Sequence, residues 1–440
     1  MPLRLHASRV FTGEDETTLH EPGVVDIDDD GRIGWVGPAG QAPASTAAVL
    51  SLPGLLMPGL INTHGHAPMT LLRGAGEDLP LMQWLREVIW PREAGITAED
   101  VYWGMTLAIA EMLRCGVTTS VEMYFHSEAM IAAARAAGTR LVVTPPVMEA
   151  PGMEHLGTWQ DQLAANLALA EAETDPAGLI EVGLAAHAAY TLPLEALRGI
   201  GEAGAAHDLL LHIHVAESRD EAADLEARSG KSVPAILADL GFFSAPRVLT
   251  AHSVWLSDAD LDLYAAHGIS VAHCPQSNAK LASGRARISD MLARGITVGL
   301  GTDGPASNNN LDMWEEVRLT PLQDRLRTGE ATSLRTPTAL TLGTRGGAEA
   351  IGRHDLGVLA PGRRADLLHV DTDNLGFTPI TDPRDVIAHL VWSANSRDVR
   401  DVWVGGRRLL ADRRCTTVDV EVARAEVQRR AVRLAEGPPR

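Results

Sequence analysis

The chain opens on short segments in which apolar and polar positions alternate between turns. Residues 24–28 read Val-Val-Asp-Ile-Asp, Asp30-Gly31-Arg32 follows, and residues 33–36 read Ile-Gly-Trp-Val. Period-two alternation broken by Asp and Gly is the pattern of β-hairpins. The same texture returns late in the chain, at residues 365–370 and 402–410. Between these ends the pattern changes. Eight short apolar runs fall at 55–62, 117–122, 141–144, 180–186, 209–215, 248–251, 269–272 and 296–300. They are separated by Ala- and Leu-rich stretches with apolar residues at helical spacing, such as 98–115 and 129–137. Strand-sized apolar runs alternating with helix-sized amphipathic ones predict parallel strands joined by crossover helices. Eight such units predict an α/β fold of the (β/α)8 TIM-barrel class, with functional groups at the C-terminal strand ends. The expected organisation is a barrel over 55–356, a small β-sandwich built from 1–54 and 357–415, and a surface helix within the Arg- and Glu-rich segment 416–440.

Composition narrows the function. The 440 residues carry 38 Lys+Arg against 57 Asp+Glu, a formal net charge of −19. That balance argues against nucleic-acid partners and anionic membranes, both of which select basic surfaces. Three cysteines, Cys115, Cys274 and Cys415, are too few for a disulfide framework and form no CxxC knuckle. The N-terminal segment lacks the apolar core of a signal peptide, and no run of about 18 apolar residues occurs, so a cytoplasmic location is expected. Only Lys231 and Lys280 are lysines; the remaining basic residues are Arg.

Candidate chemistry concentrates at the ends of the apolar runs. The first ends Asn62-Thr63-His64-Gly65-His66, and side chains two apart on a strand share a face, so both imidazoles point into the barrel mouth. The fifth ends His212-Ile213-His214-Val215-Ala216-Glu217, the sixth Thr250-Ala251-His252, and the eighth is followed by Gly301-Thr302-Asp303-Gly304. Any one of these residues alone reads more naturally as structural, and His212, a layer deeper than His214, reads as a core or supporting histidine. Four strand ends carrying such residues change that weighting. His64, His66, His214 and Asp303 form a set suited to one Zn²⁺, with Fe²⁺ an alternative, and to a water made acidic near neutrality. Asp303 can also accept that water's proton, Glu217 is placed as a general acid, and His252 can steady developing charge. The fourth run leads into Ala186-His187-Ala188-Ala189-Tyr190, with no Lys to bridge a second metal.

With these residues in place, the chain resembles the amidohydrolase superfamily, and within it the 5′-methylthioadenosine/S-adenosylhomocysteine deaminases. The likeness spans nearly the whole chain. It includes residues 58–66 (Pro-Gly-Leu-Ile-Asn-Thr-His-Gly-His), 69–74 (Met-Thr-Leu-Leu-Arg-Gly), Trp84-Leu85, Ile89-Trp90-Pro91-Arg92-Glu93, His214-Val215-Ala216-Glu217, Ala251-His252, Gly301-Thr302-Asp303-Gly304, Ser307-Asn308-Asn309 and Pro361-Gly362-Arg363-Arg364-Ala365-Asp366. The resemblance implies that His64, His66, His214 and Asp303 bind metal, that Glu217 protonates the purine ring nitrogen, and that His252 lies beside the attacking water. It implies further that Glu93 binds the ribose hydroxyls, a role that suits a carboxylate facing two vicinal donors, and that His187 lies on the substrate side. Members that take S-adenosylhomocysteine present arginines after the third strand, whereas this chain reads Thr144-Pro145-Pro146-Val147-Met148-Glu149. The aromatics of 122–126 read as core packing, and His273 and Cys274 as pocket or packing residues.

The expected activity is hydrolytic deamination at C6 of an adenosine-type nucleoside: 5′-methylthioadenosine, adenosine or S-adenosylhomocysteine. Its partners are the nucleoside and water, with homo-oligomerisation left open. An alternative keeps the machinery and changes the ring to guanine, a pterin, a cytosine or a triazine. A non-catalytic metal-binding scaffold is the third reading, and Glu217 speaks against it because a scaffold needs no proton donor.

Overall fold

A computed structural model describes residues 2–150, 153–175 and 178–436. Eight parallel barrel strands follow one another as Leu60–Gly65, Val117–Glu122, Arg140–Val143, a fourth in two pieces (Ile180–Val182 and Leu184–Ala188), Leu210–Val215, Arg247–His252, Ser270–His273 and Val298–Leu300. Neighbours in this order pair in parallel, and the two pieces of the fourth strand join the first three strands to the last four. Closure between the eighth strand and the first runs through the Thr63 hydroxyl, which donates to the Leu300 carbonyl at 2.8 Å, and a parallel bridge between Gly65 and Asp303. The expected (β/α)8 barrel is the observed one.

Two runs that read as single strands are divided, each at a glycine. The run 55–62 belongs to two sheets: Ala48–Pro58 lies in the terminal sheet and Leu60–Gly65 in the barrel. At the break, a Cβ on Gly59 would meet the Thr118 hydroxyl at 2.2 Å. The run 180–186 is interrupted at Gly183, where a Cβ would meet the Leu210 carbonyl oxygen at 2.5 Å. The Thr118 side chain at the first point and the Leu210 backbone at the second leave no room for a Cβ, and glycine fits both.

The terminal strands form one nine-stranded sheet, and it makes the β-sandwich domain from both ends of the chain. Leu3–Phe11 pairs with Gly23–Ile27 on one side and with Ala48–Pro58 on the other; Ala48–Pro58 then pairs with Leu367–Val370, which leads to Val399–Val404 and Arg407–Ala411. A buried two-pronged ion pair from Arg140 to Asp366, at 2.9 and 3.0 Å, ties this sheet to the third barrel strand. Helix Ala98–Cys115 begins with a capping box, in which Thr97 and Asp100 satisfy each other's amides, and ends at Gly116 with φ 87°. Against it packs helix Val420–Glu436, burying Ala423, Val427 and Leu434 and placing buried Arg430 3.2 Å from Asp100. This helix is therefore docked along one face; residues 437–440 of the segment lie outside the described residues. Among the described residues no helix is long and apolar enough to cross a membrane. All three cysteines are free.

Candidate active site

The first barrel strand carries His64 on its last turn of pleat and His66 just beyond it, and the fifth carries His214. Asp303 follows the eighth. Their polar atoms converge. Asp303 Oδ1 lies 3.3 Å from His64 Nε2 and 3.2 Å from His66 Nε2, and His214 Nε2 lies 3.2 Å from His64 Nε2. The opposite ring nitrogens of two of these histidines are tied to backbone: His66 Nδ1 donates to the Met123 carbonyl at 2.6 Å and His214 Nδ1 to the His187 carbonyl at 2.7 Å. Those bonds hold the rings and leave Nε2 facing the cluster, the arrangement a metal-binding imidazole needs. His64, His66 and His214 form one set of donor atoms within 4.8 Å of one another, and His64, His252 and Asp303 form a second. The donors, three imidazoles and a carboxylate, fit a divalent metal.

Electrostatics agree with that role for His64 and His214, whereas His66 is held in its protonated form by Asp303 and must give up that proton to bind a metal. Burial drives His64 down to about 4 and His214 well below its usual value, so both rings are neutral and have a lone pair to offer. Burial would also lower His66, but the hydrogen bond and charge of Asp303 outweigh it and raise the ring to about 9. Burial would raise Asp303, yet the neighbouring His64 and His66 hold it well below the usual carboxylate range. Its second oxygen, Oδ2, accepts from the hydroxyls of Ser277 and Ser307, each at 2.6 Å. Two of these residues sit on strained backbone: His252 at φ 67° and Asp303 at φ 60° occupy the left-handed region without being glycine. Such strain persists where surrounding bonds over-determine it, and it clusters at functional sites.

Above the cluster, Glu217 occupies the loop after the fifth strand, buried, with Oε1 3.9 Å from His252 Nε2. Burial raises its carboxyl, favouring the proton-bearing form. The loop is held from beneath by Glu221, whose carboxylate accepts the Glu217 amide at 3.0 Å. His252 is itself oriented by Asn278, at 2.9 Å from Nδ1 to Oδ1. A pocket of about 620 Å³, counted to its open mouth, is lined by His66, His187, His214, Glu217, His252 and Asp303 together with Glu93 and an apolar wall that includes Leu81, Trp84, Met148 and Leu281. Glu93 lies at the C-terminal end of the short helix Trp90–Glu93 beside Tyr124, and burial raises its carboxyl to about 7. His187, on the fourth strand, is driven by burial to about 3 and is neutral; its Nδ1 lies 3.1 Å from the Thr191 hydroxyl.

All eight residues singled out from sequence thus border one cavity or its floor. Tyr124 and Phe125, read as core packing, line that cavity, as does Met123. His273 and Cys274 are buried and do not line it. The sequence reading missed the supports: Ser277 and Asn278, carried by the short helix Pro275–Lys280, and Glu122, whose Oε2 accepts the Ala67 amide at 2.7 Å beneath the His-Gly-His turn. The only local signal was position: Glu122 ends the second strand, and Ser277 and Asn278 lie just beyond the end of the seventh.

A parallel barrel with this donor set at its C-terminal rim defines the class of metal-binding α/β-barrel proteins. The chain belongs to the amidohydrolase family, whose sequence profile matches residues 55–409. It is 39% identical to the 5-methylthioadenosine/S-adenosylhomocysteine deaminase of Pelotomaculum thermopropionicum over 435 residues, 98% of each chain. It is 40% identical to the 5′-deoxyadenosine deaminase of Methanosarcina mazei, with 97% of this chain and 96% of that one covered. Among solved structures, an adenosine deaminase from Xanthomonas campestris with bound zinc superposes with a TM-score of 0.93 at 34% identity, covering 99% of this chain and 98% of that one. The family resemblance read from the motifs is borne out.

Proposed function

We propose that the protein is a metal-dependent hydrolytic deaminase that replaces the 6-amino group of an adenosine-type nucleoside by oxygen and releases ammonia. The observation that carries this reading is the juxtaposition, in one buried pocket, of a metal-type donor set, a carboxyl raised toward its acid form and a second carboxyl, Glu93, in the same lining. His64, His66, His214 and Asp303 hold the divalent metal, which is proposed to be zinc. When bound, that ion supplies Lewis acidity that makes water nucleophilic near neutral pH.

The chain's own groups do the rest. Asp303 accepts the proton of the attacking water. Glu217 delivers a proton to N1, the atom that becomes electron-rich as C6 is attacked; the amino group then takes the proton held by Asp303 and leaves as ammonia, while the C6 hydroxyl returns its proton to Glu217 as the 6-oxo group forms. His252, fixed by Asn278, stabilises charge as it develops at C6. Glu93 accepts from the two ribose hydroxyls, and neutral His187 contacts the substrate from the fourth strand. No described residue lining the pocket is Lys or Arg. That lining supports a small apolar 5′ group, as in 5′-methylthioadenosine or 5′-deoxyadenosine, over the charged amino-acid tail of S-adenosylhomocysteine. The names of the relatives, deaminases of 5-methylthioadenosine/S-adenosylhomocysteine and of 5′-deoxyadenosine, support an adenosine-type substrate without choosing among the 5′ groups.

The test is ammonia release by zinc-loaded protein from a series that varies only the 5′ substituent, run beside guanine, cytosine and a chlorotriazine. The expected order places the 5′-methylthio and 5′-deoxy nucleosides above adenosine, and S-adenosylhomocysteine last. Turnover of a free base with silence on every nucleoside would replace this reading with the base-deaminase alternative.

A further inference from the structure

Beneath the donor set runs a line of buried hydrogen bonds that the proposed chemistry does not itself use. His64 Nδ1 lies 3.1 Å from His212 Nε2, His212 Nδ1 lies 2.9 Å from Thr144 Oγ1, and Thr144 Oγ1 lies 3.3 Å from the Glu122 carbonyl oxygen. All three side chains are completely buried, so solvent does not substitute for a missing partner. A neutral imidazole has one N–H and one lone pair, and a hydroxyl both donates and accepts. The line must therefore run in one direction at a time, and Thr144 is the member that closes it either way.

In one direction, His64 carries its proton on Nε2 and donates it to Asp303 Oδ1 at 3.3 Å. Its Nδ1 then accepts from His212 Nε2–H, and His212 Nδ1 accepts from the Thr144 hydroxyl. In the other, His64 Nε2 presents its lone pair to a metal. His64 Nδ1–H must now donate to His212 Nε2, His212 Nδ1–H must donate to Thr144 Oγ1, and the hydroxyl turns its own proton to the Glu122 carbonyl. Both arrangements hold three protons on the line, so reversal moves them without changing their number.

We infer that Thr144 is the terminus of a tautomer relay through His212 that fixes which nitrogen of His64 is free for the metal, and that the relay reverses on metal binding. Thr144 lies on the third strand's exit, in the segment Thr144-Pro145-Pro146 that departs from the arginine-bearing pattern, and it touches neither pocket nor donor atoms. It is a positioning residue. Valine at this position keeps the shape but accepts nothing, which leaves His212 Nδ1–H buried without a partner in the metal-loaded direction.

The inference rests on the proposed metal site, and the experiment separates the two. Protein selectively labelled with ¹⁵N-histidine is examined with and without one equivalent of zinc, and zinc affinity is measured by competition with a chromophoric chelator for wild type, Thr144→Val and Thr144→Ser. The expected spectra place the His212 proton on Nε2 without zinc and on Nδ1 with it. Loss of a supporting hydrogen bond typically costs ten- to a hundredfold in metal affinity, so Thr144→Val should weaken zinc binding about tenfold or more, with Thr144→Ser within about threefold of wild type. Stoichiometric zinc binding with His212 still protonated on Nε2 overturns the relay and leaves the metal site standing. So does equal affinity of the valine and serine variants. Failure of wild type to bind zinc stoichiometrically overturns the metal reading itself. The wild-type spectra decide the matter even where the valine variant does not fold.

Discussion

The clamp on Asp303 makes the sharpest mutational prediction. The carboxylate presents Oδ1 to His64 and His66 and is held by two hydroxyls on Oδ2, each at 2.6 Å, within the range of charge-assisted O–H···O⁻ bonds. Hydrogen bonds to a charged group contribute about 1.5–3 kcal/mol each, and each ~1.4 kcal/mol is tenfold in an equilibrium. The two serines are not equivalent. Ser307 Oγ also lies 3.1 Å from the Gly304 carbonyl, so its single proton is shared, whereas the Ser277 hydroxyl is given to Asp303 alone. Ser277→Ala should therefore lower zinc affinity by about 10- to 100-fold, and Ser307→Ala by about tenfold or less. With both removed the carboxylate is free to rotate, and the double variant should fall below the product of the singles by about 1 kcal/mol of coupling. Chelator competition on the four proteins of the cycle measures this, with far-ultraviolet dichroism to establish that each is folded. Single variants within twofold of wild type, or strictly additive small losses, would refute the view that Ser277 and Ser307 aim the carboxylate.

Other expectations follow from the same geometry. Glu217→Gln, which keeps shape and removes the transferable proton, should lower kcat by about 10²–10⁴-fold; because burial raises the Glu217 carboxyl, kcat/KM of the wild type should fall on the alkaline side, and the variant should lose that limb. Glu93→Gln should raise KM for nucleosides about tenfold or more through loss of charge-assisted acceptance of the ribose hydroxyls, with a smaller effect on 2′,3′-dideoxy analogues; equal effects on both substrates would remove Glu93 from the ribose. Glu316, buried on helix Met313–Thr328, accepts the Gln276 amide at 3.1 Å and Asn308 Nδ2 at 2.7 Å, and burial raises its carboxyl to about 8. A raised carboxyl stabilises the fold below the unfolded value and loses that contribution as pH climbs to the folded one. The melting advantage of wild type over Glu316→Gln should thus shrink between pH 5 and 8.5 by about 5 °C or more, and parallel melting profiles would contradict the assignment.

Periodicity and strand-end chemistry make the barrel and its candidate donor set legible in the sequence, because both are local: an apolar run of strand length, and a His or Asp at its end. Strand boundaries were less legible where two sheets share one apolar run. Residues 55–62 carry no polar break, and the division at Gly59 is set by the approach of Thr118 from another strand. The supports of the site were the least legible. Ser277, Ser307 and Thr144 are ordinary hydroxyl residues in sequence, and what makes them matter is the partner each meets in the fold: Asp303 for Ser277, 26 positions away, and for Ser307, four positions away, and His212 for Thr144, 68 positions away. The aromatics near Tyr124 misled for a related reason: an apolar wall of a pocket and an apolar core read alike along the chain.

The central claim, that this site hydrolyses the exocyclic C6–N bond of an adenosine-type nucleoside, is tested most directly by one reaction in ¹⁸O-water. Zinc-loaded protein is incubated with 5′-methylthioadenosine, and ammonia and the nucleoside product are quantified together by mass spectrometry. The account predicts equimolar ammonia and a 6-oxo nucleoside carrying one ¹⁸O on the purine ring, with the glycosidic bond and the methylthio group intact. Release of free adenine, or an unaltered nucleoside with no ammonia from zinc-replete folded protein, would contradict it.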